Sequence, residues 1–576
     1  MSARWLLPTP DTELGDSLAR QLGVSRLTAQ VLINRGLKDA DSARAFLNPQ
    51  LNDLADPDLL PDIGAAVERM FAAARNKEKV LIYGDYDVDG TSATALLVRF
   101  LRLAGLDVDY YVPHRIQEGY GLNIAAIEEF KQRGVDLIIT VDCGVGSVAE
   151  CEHARAAGID VIVTDHHEPG EQVASACAVV DPKLTGHLHL FRELSGVGVG
   201  FKVAWAVAKR FSTGQKISEE FRGFLLNSLG LVALGTVADV VPLLGENRVL
   251  VRYGLKALSS SAGPGLRALM DRARIRHGRL SSVDIAFGLG PRLNAAGRMA
   301  DAALAVDLMI TDDGAVAQEI AETLERHNVD RQKLQNDIFQ HAREMVLQQA
   351  DFDGSRAIVL AHDSWHPGVV GIVASKLVDE FNRPTALIAI EGGVGRGSAR
   401  SVQGFNLFDV LDGFRDRMNS FGGHAAAAGF QITTENIPGL REHLDRAAKE
   451  LAPELFQPAI QVDAEVELDD LSERLISELE LLAPHGQANR RPLFVARGLR
   501  IAGKPKLMGM KGQHISFYVS NGKASLRVVG FGLGEELYDR IIGGERSCSV
   551  VFSPRIDTWS GSGVLELQIK DIDLGP

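Results

Sequence analysis

Three aspartates at alternate positions are the first sign of chemistry in this chain. In LIYGDYDVDGTSATALLVRFL, Leu81 to Leu101, the residues Asp85, Asp87 and Asp89 follow a short apolar run and precede a glycine. Further on, Asp142 closes LIITVD, Asp165-His166-His167 closes VIVTDHH, and Asp239 stands within the apolar LVALGTVADVVPLL. A carboxylate isolated in apolar surroundings is costly without a partner. Carboxylates that converge need a cation, and oxygen ligands with one or two imidazoles suit divalent metals. Oxygen-only sites favour Mg2+, and added imidazole shifts the preference toward Mn2+. The candidate ligands outnumber the needs of one ion. Two ions sharing a carboxylate fit better, and such pairs clamp an in-line phosphoryl displacement.

Simpler readings compete. Asp-x-Asp-x-Asp-Gly opens calcium loops, but the glutamate that should follow the glycine is missing. A single aspartate at a strand end is usually the cap of the next helix, and Asp165 can be read the same way. Three such strand ends in succession argue against caps alone.

The elements that must position these groups are legible. KVLIYGD, DVDYYVP, VDLIITVDCG and IDVIVTDHH read as strands, separated by the helical TSATALLVRFLRLAG, NIAAIEEFKQRG and VAECEHARAAG. Strands alternating with helices imply a parallel sheet covered on both faces, with ligands beyond the carboxyl ends of the strands. Residues 1–60 and 198–260 read as mostly helical. Residues 312–350 are polar with a thin apolar stripe, as in one long helix bridging domains. A second β/α block runs from 356 to about 450. Short strands with glycine turns then suggest a small β-barrel.

At 576 residues the chain is too long for one core, and two to four domains are expected. The net charge of −14 excludes a uniformly basic nucleic-acid coat. Residues 490–530 run against that sign, with nine basic residues and no acidic one. The four cysteines show no CxxC spacing, so reduced thiols are expected rather than a zinc or disulfide framework. No apolar run reaches membrane-spanning length, no secretory pattern opens the chain, and a cytoplasmic location with no membrane association is expected.

GDYDVDGTSA (84–93), VDCG (141–144), TDHH (164–167) and GTVADVVPL (235–243) resemble the four motifs of the DHH phosphoesterase superfamily. GPRLNAAGRM (290–299) and GGHAAAAGF (422–430) resemble the further signatures of its RecJ branch, the second marking a DHHA1 domain. The resemblance covers nearly the whole chain. It implies an α/β fold: a parallel-sheet DHH domain (71–310) after an N-terminal helical segment (1–70), a long connecting helix (311–350), a smaller α/β DHHA1 domain (351–455) and an OB-like C-terminal β-barrel (456–576). It implies 5′→3′ exonuclease action on single-stranded DNA with two Mn2+ or Mg2+ ions, releasing 5′-mononucleotides in recombination and repair. It further implies a monomer, a substrate with a free 5′ end, and a single-strand-binding protein and a helicase as partners.

By that resemblance Asp87, Asp89, Asp142, His166 and Asp239 ligate metal, with Asp142 as the bridge and Asp85 as ligand or support. Asp165 orients the histidines and His167 faces the scissile phosphate. Arg115, Arg298, Ser398 and Arg400 are assigned to a 5′-phosphate pocket, and His424 to the DHHA1 surface. From the residues themselves, GRGSARS (395–401) reads as a glycine-rich turn carrying Ser398 and Arg400, suited to an anion. Arg115 directly follows a strand, and Arg292 and Arg298 have reach of the same cleft. On the barrel, Arg490, Arg491, Lys504, Lys506 and Lys511 with Phe517 and Tyr518 fit a basic groove with stacking platforms for single strands. A solvated basic face with Phe517 in the core fits the same residues, and the OB resemblance tips the balance toward DNA.

Other signals are discounted. SGVGVGF (195–201) lacks the GxGxxG spacing of a dinucleotide loop. His187 and His189 have no nearby carboxylate, and Cys143 is not needed as a nucleophile. Two rivals remain. A small-substrate member of the superfamily, a pyrophosphatase, oligoribonuclease or cyclic-dinucleotide phosphodiesterase, would lack the barrel and GPRLNAAGR. A non-catalytic DHH-like scaffold would be expected to lose metal ligands.

Overall fold

Near-continuous apolar runs build the first sheet. In the computed structural model, which describes residues 3–185, 190–212, 216–348, 354–544, 546–557 and 563–575, five parallel strands lie in the order Asp107–Tyr111, Lys79–Gly84, Leu137–Val141, Asp160–Thr164, Ala178–Val180. Leu137–Val141 is buried at all five positions, as a strand covered on both faces must be. Helices Val88–Leu103, Gly196–Phe211 and Glu219–Ala238 pack in the apolar core on one face. Ile124–Gln132 and Val148–Ala156 cover the other.

Helix Glu219–Ala238 corrects one expectation, because it is long and apolar enough to cross a membrane by length and composition. It is apolar all round because neighbours enclose it: two-thirds of its most apolar 18-residue stretch is buried, against Val88–Leu103, Gly196–Phe211 and Gly245–Ser261.

The long helix is Gly314–Leu347, capped by the Asp313 side chain. Its stripe is shared between two cores. Ala317, Ala321 and Leu324 belong to the first block, and Ile338, Ala342 and Val346 to the second. The second block has five strands in the order Ser420–Gly423, Ala427–Thr433, Val394–Arg400, Thr385–Glu391, Ile358–His362, of which only the last pair is parallel. GRGSARS is therefore not a turn. It lies in strand Val394–Arg400, and the turn is Gly392-Gly393 just before it. Glycine is needed within the strand because a Cβ at Gly397 would stand 2.1 Å from the Phe430 ring.

The chain divides into two compact units, residues 51–456 and residues 1–50 with 457–576. The helical segment expected over 1–70 is split between them. Helix Ile63–Asn76 packs in the first block's core through Ile63, Val67 and Met70. Helices Thr12–Leu22, Arg26–Asn34 and Ala40–Leu47 share a core with the C-terminal strands, where Leu18, Val31 and Leu32 meet Phe494, Phe517 and Phe552. Glu478 fastens this union, accepting from the Ser25 backbone N–H at 2.7 Å and the Thr28 hydroxyl at 2.8 Å. The barrel closes because strand Phe494–Met508 pairs with both His514–Ser520 and Ser547–Ile556. In LLAPHGQANRRPLF the buried Asn489 side chain donates to the Leu482 and Pro484 carbonyls, which fixes the entry to the first barrel strand. The four cysteines are free thiols.

Candidate metal centre and phosphate pocket

Four strands of the first sheet end in register. Gly84 pairs with Val141, Val141 with Thr164, and Thr164 with Val180. The next residue on each strand is an aspartate: Asp85, Asp142, Asp165 and Asp181. Parallel register thus places a row of carboxylates along one sheet edge. Asp181 escapes the sequence reading, because its strand, Ala178–Val180, is only three residues long. The available signal was an apolar run closed by Asp in AVVDPK.

Helix ends bring in the rest. Asp87 caps helix Val88–Leu103, accepting from the Asp89 and Gly90 N–H groups, so the cap reading holds for this residue. Asp89 accepts from the N–H groups of Gly196 at 2.6 Å and Val197 at 2.9 Å. SGVGVGF is therefore a helix start, capped by Ser195, that grips a carboxylate. Asp239 ends helix Glu219–Ala238. Two glycines make room: a Cβ at Gly196 would meet Asp142 Oδ1 at 2.6 Å, and one at Gly235 would meet Asp89 Oδ1 at 2.5 Å. Asp142 and Val240 both adopt positive φ, 64° and 61°, which is strained for residues other than glycine.

The ligand atoms form three overlapping groups, each within 4.8 Å: Asp85-Asp87-Asp142, Asp89-His166-Asp239 and Asp142-His166-His167. His166 Nε2 lies 3.0 Å from Asp142 Oδ1, 3.7 Å from Asp239 Oδ2 and 3.8 Å from Asp89 Oδ2. Asp85 Oδ1, Asp142 Oδ1 and His166 Nε2 are buried with no hydrogen-bond partner. Burial, then the Asp87 charge, pushes Asp85 up to about 8 and Asp89 up to about 7. Burial, then Asp89 and Asp87, pushes Asp239 up to about 9, and Asp142 is driven well above the carboxylate range. Burial, then His167, lowers His166 to about 3, so it is neutral and ready to ligate. Orphaned carboxylate and imidazole atoms that repel one another in a buried space fit divalent cations.

Asp165 has a different task. It accepts from the N–H groups of Val145, His166 and His167 and pairs with His167 Nδ1 at 2.7 Å, and it belongs to none of the three ligand groups. Burial opposes a charge on His167, but the Asp165 hydrogen bond and charge outweigh it and raise His167 to about 9. The Tyr120 hydroxyl, unforeseen from sequence, lies 3.0 Å from His167 Nδ1 and donates to the Asp142 carbonyl at 3.2 Å. The exposed His424 ring stacks near His167, with centroids 6.3 Å apart.

The arginines converge beside this cluster. The Arg115 guanidinium lies 4.5 Å from the centre of the Tyr86 ring, and Tyr86 stands between Asp85 and Asp87 in the chain. Arg298 donates to the Gly368 carbonyl at 3.0 Å. Burial, then Arg115 and Arg400, lowers Arg298 to about 9. Burial and Arg115 also lower Arg400, which donates to Ser398 Oγ at 3.0 Å and the Ala399 carbonyl at 2.8 Å. None of these three arginines has a carboxylate partner among the described residues. Mutually repelling guanidinium groups without a carboxylate ion-pair partner are suited to an anion. Helix Val370–Phe381 adds its N-terminus: a Cβ at Gly371 would touch Ser398 Oγ at 2.7 Å and Arg400 Nη2 at 3.0 Å. The signal missed there was WHPGVVG, a turn without a capping Ser, Thr or Asp. Arg292 does not join the seat, being paired with Glu325 on the long helix.

The barrel candidates separate. Phe517 is 2% exposed in the core and cannot be a stacking platform, while its neighbour Tyr518 faces out at 51%. Strand alternation puts adjacent residues on opposite faces, so only one of the two could serve. Lys504, Lys506, Tyr518 and Arg527 line a cavity of about 380 Å³. Lys511 lies at a different one, with Arg540, Asp571 and Asp573. Arg490 pairs with Asp463 at 3.0 Å and Arg491 with Glu480 at 3.5 Å, so acids from outside the run neutralise part of it. His187 and His189 lie outside the described residues.

Comparison with known proteins agrees with this geometry. Family models match residues 79–236 (DHH family, N-terminal domain), 354–450 (DHHA1 domain) and 462–571 (RecJ OB domain). The single-stranded-DNA-specific exonuclease RecJ of Bacillus subtilis is 39% identical over 571 residues, 99% of this chain and 70% of that protein. Its namesake in Escherichia coli is 32% identical over 95% of each chain. The solved RecJ of Thermus thermophilus in complex with Mn2+ superposes with a TM-score of 0.83 at 30% identity, covering all of this chain and 80% of that one. The same protein in complex with Mg2+ gives 0.78 at 29% identity, covering all of this chain and 78% of that one.

Proposed function

The chain belongs to the RecJ family of DHH phosphoesterases, and on that premise we propose that it is a single-stranded-DNA-specific exonuclease working from 5′ to 3′. Asp87, Asp89, Asp142, His166 and Asp239 would hold two Mn2+ or Mg2+ ions, with Asp142 shared and Asp85 beside it. When bound, the ions neutralise phosphate charge and make water a stronger nucleophile. Arg115, Arg298, Ser398, Arg400 and the N-terminus of helix Val370–Phe381 seat the terminal 5′-phosphate. His167, kept protonated by Asp165, donates to the scissile phosphate, and Tyr120 holds the ring in place.

One observation carries this reading. Tyr86 joins the two halves of the site, with Asp85 and Asp87 on either side of it in sequence and the Arg115 guanidinium over its ring. A phosphate gripped by the arginines is thereby set a fixed distance from the carboxylates. Cleavage then occurs one nucleotide from the 5′ end, releases a 5′-mononucleotide and leaves a new 5′-phosphate for the same seat. The domain divisions read from the sequence assign chemistry to the DHH block, the end grip to the DHHA1 block and strand binding to the barrel. Lys504, Lys506 and Tyr518 are the barrel residues that best suit such binding. By family resemblance the enzyme is a cytoplasmic monomer acting in recombination and repair, with a single-strand-binding protein and a helicase as partners.

The test is digestion of single strands and duplexes labelled at either end, with Mn2+, Mg2+ or EDTA. Labelled mononucleotide should appear at once from the 5′ label, only on single strands and only with metal. Immediate release from the 3′ label would overturn the polarity.

A further inference from the structure

Residues 272–279, RARIRHGR, hold four arginines and no acid, in a chain whose net charge is −14. Arg272 is tied to Glu322 of the long helix at 3.0 Å. Arg274, Arg276 and Arg279 are exposed and have no carboxylate partner among the described residues. Arg274 has φ 55°, at the point where helix Pro264–Arg272 is terminated. Glycine is the usual occupant of that position, and an arginine there costs about 1 kcal/mol of backbone strain.

This loop packs against an unusual neighbour. Residues Asp284–Leu289 form a π-helical turn, and a Cβ at Gly288 would stand 2.7 Å from Ile275 Cδ1 of the arginine loop. On that turn Phe287 is 78% exposed, which leaves its ring face open to a stacking partner. Gly290, the residue that follows the turn, adjoins the end of helix Glu219–Ala238, which leads into Asp239: a Cβ there would lie 3.6 Å from Ala238 Cβ. The turn leads directly into helix Gly290–Met299, which carries Arg298 at its far end. An exposed aromatic flanked by uncompensated arginines thus adjoins elements that carry both a metal ligand and an arginine of the phosphate seat.

On the exonuclease reading above, we propose that Phe287 with Arg274, Arg276 and Arg279 forms a docking surface for the single strand on the 3′ side of the scissile bond. Phe287 stacks on a base and the three arginines follow the phosphates, as single-strand grooves do. Helix Gly290–Met299 spans about 15 Å at 1.5 Å per residue. That is about four stacked nucleotides at 3.4 Å each, so a dinucleotide held by its 5′-phosphate ends short of the surface.

Full-length wild type, Phe287→Ala and the triple variant Arg274→Gln/Arg276→Gln/Arg279→Gln would be compared on 5′-phosphorylated (dT)20 and (dT)2. Binding of (dT)20 is read by fluorescence anisotropy in EDTA at several salt concentrations, and kcat/KM on both lengths with Mn2+. In the triple variant the slope of log Kd against log salt should fall by about two, at about 0.7 per phosphate contact. Phe287→Ala should weaken (dT)20 at least fivefold with the slope kept. In both, the ratio of kcat/KM for (dT)20 to that for (dT)2 should drop at least fivefold. An unchanged salt slope with affinities and ratios within twofold of wild type, or equal loss on both lengths, would overturn the docking surface. A wild type that binds (dT)20 through these residues but hydrolyses neither substrate would refute the exonuclease reading and leave the docking surface standing.

Discussion

Replacing Asp142 by asparagine should stabilise the metal-free protein while abolishing its nuclease activity. Asparagine is the appropriate replacement because residue 142 has φ 64°, which Asn tolerates and which strains Ala. Asp142 lies among Asp85, Asp87, Asp89 and Asp239, all of which oppose its ionisation. Asp89 gives the scale of the combined cost: burial first and the Asp87 charge second push it from the ordinary 3.8 up to about 7. Three units at 1.36 kcal/mol each amount to about 4 kcal/mol. A carboxyl raised in the folded state contributes stability that is complete below pH 4 and lost as pH rises through its folded value. For Asp89, Asp85 and Asp239 that window extends up to about pH 7–9. Removing one ionisation from the cluster should recover about 2–4 kcal/mol at pH 8. With an unfolding entropy of about 2.1 cal/mol/K per residue, a unit of about 400 residues then melts about 2–5 °C higher. At pH 5, little more than one pH unit above the unfolded value, the gap should be smaller than at pH 8. Millimolar Mn2+ should raise wild type above the variant, because only the wild type gains binding energy from an intact cluster. Differential scanning calorimetry at pH 5 and pH 8, in EDTA and in Mn2+, reads all four conditions. A variant that melts below wild type in EDTA at pH 8 would refute the picture of mutually repelling carboxylates, and wild-type turnover by the variant would remove Asp142 from the metal centre.

Arg400→Ala should erase most of the preference for a 5′-phosphate over a 5′-hydroxyl end. The loss is about tenfold to a hundredfold in the ratio of initial rates, and the N-terminus of helix Val370–Phe381 keeps a residue of preference; an unchanged ratio would take Arg400 out of the seat. Asp165→Asn withdraws the charge that keeps His167 protonated, so the alkaline limb of the pH–rate profile should move to lower pH, and a limb that stays put would exclude His167 as a proton donor. Residues 51–456 alone should fold and cleave short oligonucleotides while losing affinity for long strands. Deleting only 457–576 should instead give an aggregating protein, since Leu18, Val31 and Leu32 lose their covering; sedimentation and anisotropy distinguish the two truncations.

What the sequence made legible, and what it hid, follows from the range of the interactions involved. Asp85, Asp142 and Asp165 could be found because each closes a strand of five or six residues, and parallel register does the rest. Asp181 obeys the same rule but ends a strand too short to show a period. The arginine seat was found through its residue types and misread in its backbone. Gly395 and Gly397 suggest a turn to a local reading, yet they are small because Ile388 and Phe430 occupy the space their side chains would fill. The choice between Phe517 and Tyr518 depended on the parity of one strand against a core whose position no local pattern reveals. The merger of residues 1–50 with the barrel joins segments more than 400 positions apart, beyond any periodicity. The same distinction explains why the metal centre is robust and the basic barrel run is not. Carboxylates at aligned strand ends are brought together by backbone hydrogen bonding whatever surrounds them. The charge of a surface arginine, by contrast, depends on which acid arrives beside it, as Asp463 does beside Arg490 and Glu480 beside Arg491. Uncompensated positive charge, and not its density along the sequence, therefore marks where a polyanion can bind. By that measure the three proposed phosphate-seat arginines, Lys504 and Lys506 on the barrel, and Arg274, Arg276 and Arg279 beside Phe287 outrank Arg490 and Arg491, which the sequence listed alongside Lys504 and Lys506.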